Sequence, residues 1–374
     1  MDFATKNCFT ALAAAAMSFV AFAESNGDKG TLNGAEKYND APALLAEQCQ
    51  NYVDDAGERA VADFGLGILE GADGIFDYAS DGCLEEPPPN PMYPEPMEKD
   101  ALYFGGSDCG RFIPETLVMN DGVRPDVSVI TQNGLADDRY VSTIRERLAG
   151  KVELPADEDV EKAFGTFVYG VQSGKIDARD ALEFNGGRIT VTGALAVMKI
   201  NEILSRNVFR KNKGKHAMYV EESYPIGWMS DYLTPHGLVL KLNAEKSGTV
   251  SDEDVRESAE FWDWMTKRLL SSPEFASCRA ESWRRKADGK PDPEHRMCVR
   301  AFARMRIAHA RLYGRNKNSA AYATAVRQAV AIDPLDPETG CRYAAFLTEN
   351  GLDDARGDYL GCIEKLGAPT DCRR

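Results

Sequence analysis

The segment Asp100-Ala-Leu-Tyr-Phe-Gly-Gly-Ser-Asp-Cys-Gly-Arg-Phe112 constrains the fold more than any other stretch of the 374-residue chain. Ala101 to Phe104 is apolar and aromatic, as a buried strand requires. Gly105, Gly106 and Gly110 then allow a tight turn and leave the backbone amides uncovered. Ser107 or Asp108 can cap a following helix, and Arg111 adds a permanent forked cation beside those amides. A strand, a glycine turn and a helix start make a natural seat for an anion or a hydroxyl-rich ligand. The same residues also serve a plain strand-to-helix turn in which Asp108 only caps.

A second apolar strand is expected at Val127 to Thr131, followed by the loop Gln132 to Asp138 and a helix from Tyr140 to Leu148. Strand, helix, strand, helix points to an α/β fold with a parallel-rich sheet and flanking helices. Ligands of such sheets gather at the carboxyl ends of the strands. That rule brings Gly105 to Arg111 and Asn133 to Asp138 onto one rim. A third strand, Met218 to Val220, runs into Glu221, Glu222, Tyr224, Trp228 and Tyr232. Aromatic faces beside carboxylates suit sugars, although Trp228 and Tyr232 also suit an ordinary core. Glu221 and Glu222 are adjacent on a strand and point to opposite faces, which weakens a glycosidase pair using both. His236 precedes a strand at Leu238 to Leu242. The candidate ligand-binding residues are therefore Gly105, Gly106, Ser107, Asp108, Arg111, Asn133, Glu221, Glu222, Trp228 and His236. No metal or cofactor motif and no nucleophile motif is present, so no metal, cofactor or catalytic residue is assigned.

The remainder reads mainly as helix. Ala41 to Tyr52, Glu58 to Leu69 and Ile75 to Ala79 come first. The proline-dense run Glu85 to Met97 then reads as a stiff linker. Ile113 to Asn120 is expected as a short helix with Pro114 in its first turn. Asp157 to Gln172 carries Val160, Phe164, Phe167, Val168 and Val171 inward. Ala181 to Thr192 contains Asn185-Gly-Gly, a hairpin signal. Val197 to Phe209 is helical, and Arg206 to His216 is a basic cluster that reads first as a solvated face. Ser251 caps a helix with Phe261, Trp262, Met265 and Leu269 on its apolar stripe. From Arg296 to Gly367 small residues and prolines suggest paired helices like tetratricopeptide repeats. Two such units are too few to stand free and should pack on what precedes them. The expected organisation is a leader (1–23), a disordered lead-in (24–40), a helical and proline-rich segment (41–98), an α/β unit (99–250) and a helical repeat-like region (251–374).

Lys6, the apolar run Phe9 to Phe22 and Ala21-Phe-Ala23 fit a cleaved export signal, so the mature chain is expected outside the cytoplasm. Nothing later spans a bilayer. Eight further cysteines, Cys49, Cys83, Cys109, Cys278, Cys298, Cys341, Cys362 and Cys372, favour disulfides in that setting. The pairings expected are Cys278 with Cys298, and one within the tail among Cys341, Cys362 and Cys372. A net charge of -15 disfavours nucleic acid and anionic membranes as partners.

An ordered set of motifs carries a resemblance. Pro89-Asn-Pro-Met-Tyr-Pro94 and Met97-Glu-Lys99 precede Phe104-Gly-Gly-Ser-Asp-Cys-Gly-Arg-Phe-Ile-Pro114. Arg124-Pro-Asp126, Thr131-Gln-Asn-Gly-Leu-Ala-Asp137, Tyr219-Val-Glu-Glu-Ser-Tyr224 and Leu233-Thr-Pro-His-Gly237 follow. Over roughly residues 60 to 365, the chain resembles the soluble region of a bacterial membrane-protein family related to protein O-mannosyltransferases. That family joins a multi-span glycosyltransferase-like half to an α/β domain and tetratricopeptide repeats. With a signal sequence in place of the membrane half, the resemblance implies a glycan- or phosphosugar-binding accessory protein rather than a transferase. Ser107 and Cys109 replace the threonine and proline of the family pattern. Two other readings stand beside it. One is a secreted hydrolase using Asp108, Glu221, Glu222 and His236. The other is a scaffold that takes a protein partner on its C-terminal helices.

Overall fold

A computed structural model describes residues 42–79, 86–176, 182–185, 188–191, 194–222, 226–278, 297–334, 336–349, 356–357 and 360–361. The expected leader and lead-in, Tyr224, and Cys83, Cys362 and Cys372 lie outside the described residues.

Three helices, α1 (Pro42–Ala56), α2 (Glu58–Leu69) and α3 (Gly71–Ala79), precede strand β1 (Leu102–Gly105). Then follow α4 (Asp108–Met119), β2 (Ser128–Thr131), α5 (Asp138–Arg147), α6 (Asp157–Gln172), the hairpin β3 (Leu182–Asn185) and β4 (Arg188–Val191), and α7 (Ala194–Asn212). The chain continues through β5 (Met218–Val220), β6 (Leu233–His236), β7 (Val239–Leu242), α8 (Asp252–Ser271), α9 (Met297–Arg315), α10 (Ser319–Ile332) and α11 (Pro337–Glu349).

The central sheet has the order β2-β1-β5-β7-β6. β1 pairs in parallel with β2 and β5, as the strand–helix pattern implies. β7 and β6 add antiparallel strands, so the sheet is mixed rather than parallel throughout. β6 has no counterpart in the sequence reading. Pro235 masks it, and an edge position is where a strand tolerates proline. Side chains alternate across the sheet. Tyr103, Val129, Tyr219 and Val239 face one core, with α1, α2, α4, α8 and the first half of α9. Leu102, Phe104, Ile130, Met218, Val220 and Leu240 face a second core, with α5, α6 and α7. The layers are helix, sheet, helix, as strands buried on both faces require.

The proline-rich run is packed and is not a spacer. Trp264 Nε1 donates to the Glu86 carbonyl at 3.0 Å, and Asn90 Nδ2 to Glu257 at 2.8 Å. The Met97 amide donates to the Leu69 carbonyl at 3.1 Å, and its side chain is buried. Residues 86–97 therefore strap α2 and α3 to α8, and an extended backbone without helical hydrogen bonds suits a strap. Asp63 of α2 and Arg268 of α8 tie the same layers by a buried two-pronged ion pair, at 2.6 and 2.9 Å.

The C-terminal helices belong to the same core. α9 places Phe302 edge-on to Phe64 at 5.0 Å, and α9 and α10 form a helical hairpin. The C-terminal region is helical. Of the second expected helix pair, α11 is described, and most of its partner lies outside the described residues. Cys278 and Cys298 form no disulfide with each other, so that expected pairing is overturned. Cys341 is disulfide-bonded; Cys362 and Cys372, the other cysteines of the bridge expected within the tail, lie outside the described residues.

Two histidines carry an acid-sensitive stability. Burial, then Lys241, holds His236 down at about 4. Burial, then Arg306, holds His309 at about 3. Both stay neutral when folded and gain a proton readily when unfolded. Their contribution is complete above the ordinary histidine value near 6.5 and is lost as pH falls towards 4 and 3. Each should cost about 2 kcal/mol of stability at pH 5 relative to neutral pH. Urea titration of the wild type and His309→Asn tests this. The stability gap between them should narrow by about 2 kcal/mol on going from neutral pH to about pH 5. A gap independent of pH contradicts the account.

Candidate functional site

The strand–turn–helix segment folds as its glycines suggest. Gly105 has no room for a side chain. A Cβ there would lie 2.8 Å from the Gly110 carbonyl oxygen and 3.0 Å from the Arg111 Cα. Ser107 caps α4, its hydroxyl accepting the Gly110 amide at 3.0 Å. The helix therefore starts at Asp108, five residues before the expected start at Ile113, and Pro114 lies inside it. A proline at that place leaves the carbonyl of Gly110 without its helical donor. The Tyr103 hydroxyl, on β1, supplies the missing bond at 2.8 Å.

The anion that the turn is built to hold is part of the chain. Glu221, at the end of β5, sets one carboxylate oxygen on the amides of Gly106 and Ser107, at 2.9 and 2.7 Å. The other oxygen accepts the Ser107 hydroxyl at 2.6 Å. Burial pushes the Glu221 carboxyl up, while Ser107 and Gly106 pull it back towards the ionised form. Asp108 adds a smaller upward push. Gly110 is required here too, because a Cβ would stand 1.7 Å from the carboxylate.

The other rim candidates interlock with this pair. Asn133 Nδ2 donates to the Gly106 carbonyl, and Asn201 of α7 donates to the Asn133 carbonyl at 2.9 Å. Gln132 Nε2 reaches the Glu221 carbonyl at 3.3 Å. Arg111 does not line an opening. It is 1% exposed, its Nε lies 3.0 Å from Glu115, and Arg147 completes that buried acid–base cluster. Of the residues expected on one rim, Gly105, Gly106, Ser107, Asp108, Arg111, Asn133 and Glu221, the structure joins Gly106, Ser107, Asn133 and Glu221 by hydrogen bonds to one another and turns Arg111 to Glu115.

Glu222 points the other way, as strand geometry requires. Arg311 of α9 donates to its carboxylate at 3.1 Å and to its carbonyl at 3.1 Å. His236 stands on the edge strand, its ring 4.8 Å from that of Tyr219. The sequence candidates for acid–base work are thus spread over different places in the fold. Among the described residues no group of acids, histidines and cysteines could hold a metal.

Trp228 differs from the rest. It is half-buried, its ring packs on Phe209 at 5.0 Å, and its Nε1 donates to the Glu202 carbonyl at 3.0 Å. It also lines an open groove of about 680 Å³ between α6 and α7. Five cations surround that groove: Lys162, Lys175, Lys199, Arg206 and Arg210. Its two acids are engaged, Asp159 by Lys211 at 2.6 Å and Glu202 by Lys199 at 2.9 Å. Lys162, Lys175, Arg206 and Arg210 make no ion pair among the described residues. Asn207 donates to Asp159 at 2.9 Å, and its buried Oδ1 has no hydrogen-bond partner among the described residues.

Sequence reasoning found the basic cluster Arg206 to His216 but did not connect it with Lys162, Lys175 and Asn207. The cluster divides. Lys211, Lys213 and Lys215 pair with Asp159, Glu245 and Glu153, whereas Arg206 and Arg210 turn to the groove. Positions 206 and 210 are four apart and share one helix face, a signal that was available. Their approach to α6 was not.

Comparison with protein-family models, with curated proteins and with solved structures returns no match.

Gly110→Ala tests the internal carboxylate. Overpacking of about 1–3 kcal/mol adds to displaced hydrogen bonds to a charged group, worth about 1.5–3 kcal/mol. A loss of about 3 kcal/mol or more is therefore expected. Glu221→Ala removes both the bonds and the clash. The double variant should accordingly be no less stable than Glu221→Ala alone. Simple additivity in chemical denaturation would show that the two residues do not meet.

Proposed function

We propose that this protein is an exported, non-catalytic binding protein for an acidic saccharide, held in the groove between α6 and α7. The observation that carries this reading is local. A chain with net charge -15 gathers five cations around one concave site. Four of them lack an acid partner among the described residues. Cations so placed attract an anion and speed its arrival. The site also supplies what a sugar needs. Trp228 offers a half-buried aromatic face, and Asn207 Oδ1 is an acceptor suited to a ligand hydroxyl. A sugar phosphate and a uronate-containing glycan share this chemistry. The engagement of Glu221 and Glu222 by internal donors favours binding over hydrolysis. The leader-like N-terminus is the basis for placing the protein outside the cytoplasm.

Calorimetric titration with glucose 1-phosphate, an oligogalacturonate and neutral maltotriose tests the proposal. One or both acidic ligands should bind, more weakly at about 0.5 M salt than at low salt. Maltotriose should bind less well than either. Arg206→Glu combined with Arg210→Glu should weaken binding about tenfold or more, since each exposed contact is worth up to ~1 kcal/mol and both are reversed in sign. Absence of binding by both acids, or affinity unchanged in the double variant, overturns it.

A further inference from the structure

A second cation-lined site lies among α8, α9 and α10. Arg306 of α9 is fully buried and makes no ion pair among the described residues. Its Nε donates to Gln328 at 2.8 Å and its Nη1 to Ser258 at 3.0 Å. The Tyr313 hydroxyl is its other hydrogen-bonding neighbour. The rings of Trp262 and Tyr313 cover its faces at 5.5 and 5.8 Å. Asp263 lies beyond Gln328, which donates to it at 2.6 Å, so that acid reaches the guanidinium only through an amide. A buried guanidinium without a direct counter-charge is costly. A neighbouring group is also unsatisfied. The Tyr313 hydroxyl, on a side chain 1% exposed, finds no acceptor for its own proton among the described residues.

Both groups line a cavity of about 340 Å³ between α8 and the start of α10. Val255 and Ala259 on α8 and Ala320, Ala321 and Thr324 on α10 give it short or apolar walls, and Asp252, Arg256 and Asn318 also line it. Asp252, Arg256 and Ala320 are exposed, which opens the cavity to solvent. We infer that this cavity binds a carboxylate carried on a short apolar chain, received by Arg306 and the Tyr313 hydroxyl. A guanidinium edge and a hydroxyl match two carboxylate oxygens. The alanine walls leave room for a few methylenes and not for a sugar ring with its shell of hydroxyls. Nothing in this inference depends on the groove between α6 and α7.

Butyrate, butyramide, inorganic phosphate and a short peptide with a free or amidated C-terminus are the probes. Trp262 stacks on Arg306, so its fluorescence reports occupancy of the cavity. Butyrate should bind and raise the melting temperature, and butyramide should do neither. Binding by the free-acid peptide but not by its amide would identify a protein C-terminus as the natural source. Failure of both peptides beside a response to butyrate would identify a free small acid. Tyr313→Phe keeps the packing, removes one donor and should weaken butyrate about tenfold or more. Arg306→Met should abolish binding; where it does not fold, Tyr313→Phe still decides. Equal effects of butyrate and butyramide, a preference for phosphate, or butyrate affinity unchanged in Tyr313→Phe overturns the inference.

Discussion

The carboxylate of Glu221 on the amides of Gly106 and Ser107 is the interaction on which the rest of the structure depends. It joins the ends of two parallel neighbours, β1 and β5, at the point where the chain leaves the sheet. A negative charge at the start of α4 also offsets the positive end of that helix. Further bonds extend from the same place. Asn133 holds the turn from the β2 side, and Asn201 ties that loop to α7. A buried carboxylate is tolerated only when donors surround it, and the glycine turn supplies them within a few residues.

Much of this was legible in the sequence. The glycines, the capping serine and the strand before them identify an anion seat, and an anion does occupy it. What local pattern cannot convey is that the occupant lies 115 residues from Gly106. Arg111 departs from the sequence expectation for a similar reason. Arg111 and Glu115 stand one helical turn apart, a spacing visible in the chain, but their burial depends on Arg147 and Tyr140 arriving from α5. The helix start at Asp108 was missed because Pro114 argues against a helix interior. Tyr103 overrides that argument by filling the bond that proline cannot make. The proline-rich run was read from composition, which gives its extended shape correctly. Composition does not show that Trp264 and Glu257 line its path.

The groove between α6 and α7 shows the complementary limit. Each helix alone is a charged surface helix of a common kind. Only their packing sets Lys162 and Lys175 opposite Arg206 and Arg210, with Trp228 and Asn207 between. The strongly negative total charge hides this arrangement, because the acids that outnumber the cations lie elsewhere. Net charge describes the behaviour of the whole particle in solution, whereas a ligand responds to the field at the cleft.

Glu221 and Glu222 are consecutive, and each is held by a different part of the molecule. The first is fastened to the turn after β1, and the second to Arg311 in α9. One strand end is thus held twice, by the turn that starts α4 and by Arg311 of α9. Cutting the chain near Ser251 would take Arg311 from Glu222, and would take from α9 the surface that covers Phe302 and Met305. The helical tail is therefore not a detachable module. The sheet and the tail form one cooperative unit, which a C-terminal deletion would unfold rather than shorten.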